Sequence, residues 1–309
     1  MNNRDVPPPV LLVCNKHDDT MSFVDSGSCE VVETISVGPN PHEIVITTDS
    51  RFAYLSNYAP PGDTISVIDL VARRHVQQIS TGEFTRIHGA AISRDGLNAY
   101  FTAGQTGYVV EVETNTNTVT RGIPTHGEIS HMVLVSPDDR TLYTANINTE
   151  DVSVIDRGSG ELITKIVCGK GVEGMGFTPD GRSLWALNQE GGSICVIDVA
   201  TNEVTTTFDC PGLPIRVAFT SDGKVALVPS WAEAGELVVI DIETLSEIKR
   251  IPVGSQAIGL VISPDETVAF VGCEHTDGVH VVDMGSLSVI GKIFTDDGSD
   301  AMAFWSSPE

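Results

Sequence analysis

Three of the chain's eight histidines, His42, His88 and His131, recur about every 42 to 46 residues, and each stands five positions before a turn of the form Thr/Ser-x-Asp. Neutral imidazoles suit zinc, iron, copper and nickel, and a set of three leaves one coordination position open to water or substrate. A metal held that way lowers the pKa of bound water and polarises a carbonyl. Glu173, Ile215, Ile258 and Asp300 occupy the same offset in the other repeats. On a closed ring the order becomes Asp300, His42, His88, His131, Glu173 along one arc, with Ile215 and Ile258 opposite. The expected site is therefore a divalent transition metal on His42, His88 and His131. Glu173 or Asp300 serves as further ligand, orienting group or general acid/base, and Ile215 and Ile258 hold the unreactive part of a substrate. One position further on, Arg216 can clamp a carboxylate or phosphate through two parallel hydrogen bonds. Against this stands a plainer reading. A water-filled channel needs polar lining, its histidines bond to water or facing carboxylates, and Arg216 pairs with Glu173 or another acid.

What must position these residues is a repeat. A short apolar run leads into a turn, written Thr-Thr-Asp-Ser at Thr47, Ser-Arg-Asp-Gly at Ser93, Ser-Pro-Asp-Asp at Ser136, Thr-Pro-Asp-Gly at Thr178, Thr-Ser-Asp-Gly at Thr220 and Ser-Pro-Asp-Glu at Ser263. A second run follows, then a polar loop, then a third run ending in Val-Ile-Asp or a relative, as at Asp69, Asp156, Asp198 and Asp241, then a fourth. The runs are short, rich in β-branched residues and bounded by Gly, Pro, Asp or Asn, which predicts strands rather than helices. Four antiparallel strands per unit make a propeller blade, and stacking around an axis buries the faces that a lone blade leaves open. Six units are complete. Asp300–Phe304 resembles Glu173–Phe177 and supplies an innermost strand, while three runs between Val10 and Ile35 supply the rest of a seventh blade. The reading is an all-β, seven-bladed β-propeller of one domain, 1–309, its last blade closed by N-terminal strands plus the C-terminal innermost strand.

The segments Leu142-Tyr143-Thr144-Ala145-Asn146 and Ala53-Tyr54-Leu55-Ser56-Asn57, with the Ser-Pro-Asp turns, resemble the YVTN-repeat seven-bladed β-propellers, related in pattern to lactonase-like and nitrite-reductase-like propellers. The resemblance covers essentially the whole chain. It implies the fold strongly and function weakly, because the scaffold hosts enzymes, electron-transfer partners and binding modules. The Gly-His and Trp-Asp dipeptides of WD repeats do not occur.

Loops between second and third strands open on the face that carries the histidines. There, and on the connections into the innermost strands, Tyr58, Arg86, Trp231 and His275 are expected at the substrate rim with Ile215 and Ile258, and Lys16, His17, Glu233 and Glu274 are further rim candidates. Arg86, beside His88, suits an anionic group. Asn15, Asn57, Asn146 and Asn188 recur at one register and are expected to cap the turn. Cys273 next to Glu274 and His275 makes a weak nucleophile candidate, since neighbours at a strand end face different ways.

The chain carries 42 acidic against 18 basic residues, a net charge of -24, which disfavours nucleic acid and anionic membrane as partners. The six cysteines form no C-x-x-C and no haem-attachment motif, and Met1–Pro9 has no apolar core of a secretory signal, so a cytoplasmic protein is expected. No P-loop, G-x-S-x-G or H-E-x-x-H occurs. Two functions fit. One is a metal-dependent enzyme on a small-molecule substrate, a lactonase-like hydrolase or a lyase, with a redox copper or iron centre as a variant. The other is a non-catalytic propeller that binds a protein partner or ligand.

Overall fold

The computed structural model describes residues 9–276 and 278–308. They form seven four-stranded antiparallel sheets around an axis; no helix is present among them, so none is long and apolar enough to cross a membrane. Blade one runs Pro41–Ile46, Phe52–Asn57, Thr64–Asp69 and Arg74–Ser80 from the axis outward, each strand paired with the next. Blades two to six repeat the plan with innermost strands at Ile87–Ile92, Ser130–Val135, Val172–Phe177, Ala218–Phe219 and Ala257–Ile262. Blade seven is composite. Its innermost strand, Ser299–Trp305, pairs with Val10–Asn15 in a register that sets Leu12 opposite Ala303, and two further N-terminal strands complete it. The closure expected from the repeats is the closure observed.

The middle strands read as nearly unbroken apolar runs because both faces are covered. Tyr54, Ile65 and Val67 of blade one pack on Phe101, Val110 and Val112 of blade two. Leu12, Met21 and Phe23 of blade seven pack on Ala53, Leu55 and Ile68. Each fully buried side chain of this size stabilises by about 1.5–3 kcal/mol relative to exposure.

The recurring asparagines tie second strand to third. Asn57 donates to Thr64 and accepts from Ser66; Asn146 donates to Asp151 and Ser153; Asn15 donates to Thr20 and Ser22. In blade six the equivalent pair is Cys273 and His280, whose Sγ and Nδ1 lie 3.5 Å apart. Cys273 is fully buried, burial raises its thiol pKa, and it stands where other blades carry this structural bridge. The nucleophile idea has no exposed thiol to act through. All six cysteines are free.

Much of the acidity builds turns. The hydroxyl of Thr178 donates to Asp180 and accepts the Ser183 N–H, while Asp180 accepts the Arg182 N–H; the unit recurs at Asp49, Asp95, Asp138, Asp222 and Asp265. Asp25, Asp69, Asp156, Asp198, Asp241 and Asp283 each accept the N–H three residues on, at the hairpin into the outermost strand. The Thr178 hydroxyl and the Arg182 N–H hold the Asp180 carboxyl below its ordinary range. A carboxylate depressed in the folded chain stabilises above the unfolded pKa of about 3.9, and that stabilisation is lost as pH falls through the folded value. Asp180→Ala is therefore expected to melt a few degrees below wild type at neutral pH. The gap should narrow as pH falls below the unfolded value of about 3.9; a gap of constant size in melting scans carried into acid contradicts the account.

One irregularity recurs where the site residues stand. In blades one to four, and where the last innermost strand meets Val10–Asn15, the register slips by a bulge at the start of the innermost strand. His42–Glu43, His88–Gly89, His131–Met132, Glu173–Gly174 and Asp300–Ala301 are the residues inside the slips. A bulge re-aims side chains and breaks the strict in-out alternation. Blade five departs further. Its innermost strand is reduced to Ala218–Phe219, and Ile215, expected to begin it, sits in irregular backbone after the isolated Pro214–Ser230 bridge. Pro214 has no N–H to offer a ladder.

Candidate functional site

At one end of the axis the bulges bring the expected arc together. The His42 and His88 ring centres lie 4.3 Å apart and those of His88 and His131 3.6 Å, so the imidazoles form a ladder. At one end of it His42 Nδ1 stands 3.1 Å from Asp300 Oδ2, and at the other His131 Nε2 stands 3.7 Å from Glu173 Oε1. Glycine follows the axis residue in blades two, four and six because the next blade's backbone is there: a Cβ on Gly174 would lie 2.0 Å from the Ile215 carbonyl, and one on Gly259 2.1 Å from that of Asp300.

His88 is the best defined of the three. It is 2% exposed, its Nδ1 lies 3.1 Å from the His131 carbonyl oxygen, and its buried Nε2 has no partner among the described residues. Nδ1 therefore donates, and Nε2 carries a bare lone pair. That is the arrangement in which metal-binding histidines are usually held, with one ring nitrogen fixed by a backbone carbonyl and the other free to ligate. Donor atoms of His42, Glu43 and His88 all lie within 4.8 Å of one another. His131 lies tilted against His88 and stands outside that close group, so the tightest set of donors has Glu43 in the place that sequence reasoning gave to His131.

Burial, reinforced by the neighbouring imidazoles and Arg216, holds His88 well below its ordinary pKa and His131 at about 3. Burial likewise carries His42 down to about 4 against the pull of Asp300. All three are neutral at pH 7, the form that binds metals. Burial raises the Glu173 carboxyl to about 7, with Arg216 opposing. Burial would raise Asp300 too, yet Lys16, His42 and Arg216 overcome it and hold this fully buried carboxyl at about 2.

Arg216 does not pair with Glu173. Its guanidinium grips Glu43 with two hydrogen bonds and donates from Nη2 to Asp300 Oδ1 at 3.1 Å. Lys16, expected at the rim, is 5% exposed and bridges Asp300 Oδ2 at 3.4 Å and Glu274 Oε1 at 3.0 Å. Trp231 Nε1 donates to Glu274 at 2.7 Å. These groups make a closed network of alternating charge. Glu43 was the member that sequence reasoning missed, although it occupies the same offset as Arg216; the signal was the pair of oppositely charged residues at one repeat position.

Of the other rim candidates, Tyr58 packs edge-on to His42 and His88 at 4.9 and 5.1 Å, and Arg86 lies over the Tyr58 ring at 4.0 Å. A cavity of about 600 Å3 opens beside them, lined by Tyr58, Arg86, His88 and His131 with loop residues of blades two and three. Its size lies inside the range of small-ligand sites, roughly 300–1,000 Å3. Ile215 and Ile258 are buried, at 6% and 4% exposure. His275 is exposed and stacks on His17 at 5.9 Å, away from the imidazole ladder in its contacts.

A family model described as the Cytochrome D1 heme domain matches residues 144–264. That segment holds Glu173, Ile215, Arg216, Trp231 and Ile258 and stops short of the three histidines. No curated protein matches the chain. Among solved structures, hydrazine synthase of Kuenenia stuttgartiensis superposes with a TM-score of 0.78 at 20% identity, over 91% of this chain and 97% of that one. A functionally unknown protein of Desulfotomaculum acetoxidans gives 0.81 at 17% identity, over 97% and 99%. Dihydro-heme d1 dehydrogenase NirN, in complex with DHE, gives 0.69 at 16% identity, over 96% of this chain and 66% of that one. At such identities the likeness is one of fold.

Proposed function

We propose that the histidine end of the channel is a small-molecule enzyme site whose buried imidazoles ligate a transition-metal centre. The observation that carries this is His88, a nearly inaccessible neutral imidazole with Nδ1 donating to a carbonyl and Nε2 left without any partner. An unpaired buried polar atom costs about 1–3 kcal/mol, and a ligated ion removes that cost. His42, Glu43 and His88 would hold a divalent ion, which when bound supplies Lewis-acid polarisation and an acidified water. The chain's own groups do the rest. Arg216 and Asp300 fix Glu43 and His42, Glu173 beside His131 is the proton carrier by position, and the cavity admits a substrate to the imidazoles. Hydrolase (lactonase-like) or lyase chemistry in a YVTN-type propeller is the finer form of this reading.

A second reading is a haem-type cofactor. The partial match to the Cytochrome D1 heme domain and the likeness to NirN favour it, and His88 is poised as haem iron ligands commonly are. The donor chemistry suits an axial ligand. The surroundings suit a tetrapyrrole less well, because Lys16 and Arg216, which would meet its carboxylates, are already paired with acids.

The test is metal analysis of protein made without a histidine tag, with absorption spectra recorded on titration with haemin. About one transition-metal ion per chain, lost in the His42→Ala/His88→Ala variant while the β-sheet circular dichroism is kept, is the expected result. A haemin spectrum that shifts only when His88 is present selects the second reading. Protein that takes up neither haemin nor zinc, copper, iron or manganese overturns the proposal.

A further inference from the structure

The residue two positions before each axis residue forms a second ring at the mouth. Its members are Asn40, Arg86, Ile129, Gly171, Leu213, Gln256 and Gly298, and all but Leu213 have left-handed backbone, with φ of 59° at Arg86. The left-handed turn is thus a property of the repeat, and what distinguishes blade two is its side chain. Arg86 is the charged member of this ring, and it lines the cavity that reaches His88 and His131. Its backbone is pinned, the N–H donating to the Pro61 carbonyl and the carbonyl accepting from Gly104.

The two buried cations at the axis are neutralised, Arg216 by Glu43 and Asp300 and Lys16 by Asp300 and Glu274. Arg86 has no carboxylate within salt-bridge distance among the described residues. Its one side-chain hydrogen bond, from Nη2 to the Tyr58 hydroxyl, leaves its remaining N–H donors free. Arginine offers a planar fork that matches an oxyanion. In a chain of net charge -24 an unpaired guanidinium on the wall of a cavity stands out, since acidic partners are abundant.

We infer that Arg86 is the anchor for a carboxylate on the small-molecule ligand, with the Tyr58 ring as the floor between that anchor and His88. Tyr58 touches both, 4.0 Å from the guanidinium carbon and 5.1 Å from the His88 ring. A short carbon chain laid across it puts its far end at the imidazoles. The acidic surroundings, including Glu128 on the same cavity, favour a singly charged carboxylate over a doubly charged phosphate. The inference rests on the site proposed above and names the substrate class it takes.

The experiment is calorimetric titration of metal-free protein with straight-chain monocarboxylates from acetate to hexanoate, with the corresponding amides, and with inorganic phosphate. Carboxylates of intermediate length should bind, and the amides should bind at least tenfold more weakly. Arg86→Gln should lose roughly tenfold to a hundredfold in carboxylate affinity, the worth of a charge-assisted hydrogen bond, and Arg86→Lys should keep part of it. Circular dichroism and melting temperature check each variant's fold. Equal binding of acid and amide, or an Arg86→Gln variant of unchanged affinity, overturns the anchor, and phosphate binding more tightly than any carboxylate overturns the assignment of class. The metal reading fails separately. Arg86-dependent carboxylate binding by wild-type protein that takes up no metal supports the anchor alone.

Discussion

Arg216→Met is expected to lower the free energy of unfolding by about 3–5 kcal/mol, the usual result of removing one partner from a buried ion pair. Arg216 is largely buried and holds two acids at once, Glu43 by a two-pronged contact and the fully buried Asp300. Without it Glu43 keeps no cation within bonding distance, and Asp300 is left with Lys16 at 3.4 Å and a neutral His42. Both carboxyls must then take up protons or go unpaired in a poorly solvated channel. Urea denaturation reads the loss as a lower midpoint at unchanged slope. The double variant Arg216→Met/Glu43→Met should recover part of it, because the orphaned charge is removed with its partner. A single-variant loss below about 1 kcal/mol would place this network among solvated pairs of little energetic value.

Ending the chain at Gly298 is expected to abolish cooperative folding altogether. The last strand carries Ala301, Met302 and Trp305 into the core, with Trp305 edge-on to Phe23 and its Nε1 donating to the Ser50 carbonyl at 2.7 Å. It is also the one element that pairs with Val10–Asn15 on the axis side. Its removal opens the ring, bares the edge of that strand and uncovers apolar faces of blades one and six. A total stability of about 5–15 kcal/mol does not survive such a loss, and bare edges template association. Size-exclusion chromatography should show aggregates, and melting scans no sharp transition. Trp305→Ala is the milder test, with an expected cost of about 3–5 kcal/mol. A truncated chain that stays monomeric and melts as the full one does would mean that closure is dispensable.

The repeat was legible because its punctuation is chemical. The Thr/Ser-x-Asp turns and the Val-Ile-Asp strand ends are sites where side chains must bond backbone N–H groups, so they recur in register and date each blade's corners. That register alone placed Asp300 beside His42 across almost the whole length of the chain. What the period of two could not show is the bulge at His42, His88, His131, Glu173 and Asp300. Strict alternation points His42 and Glu43 to opposite faces, whereas the slip lets neighbouring residues address one site. For that reason Glu43 was left out of the site, and Glu173 was named ahead of the other acids as the partner of Arg216. Lys16 was read as a rim residue because lysine is rarely buried without a partner; its partners, Asp300 and Glu274, come from blades at the far end of the sequence. The pairing of Cys273 with His280 was hidden likewise, since blade six rebuilds an Asn–Ser bridge from different atoms.

The most direct measurement of the central claim is an anomalous difference map, recorded at the zinc edge, from crystals of untagged protein equilibrated with zinc. The account predicts one strong peak per chain about 2.1 Å from His88 Nε2, with His42 and Glu43 turned toward it. Its contradiction would be a channel mouth without a peak, the imidazole ladder unchanged and Nε2 of His88 bonded to water.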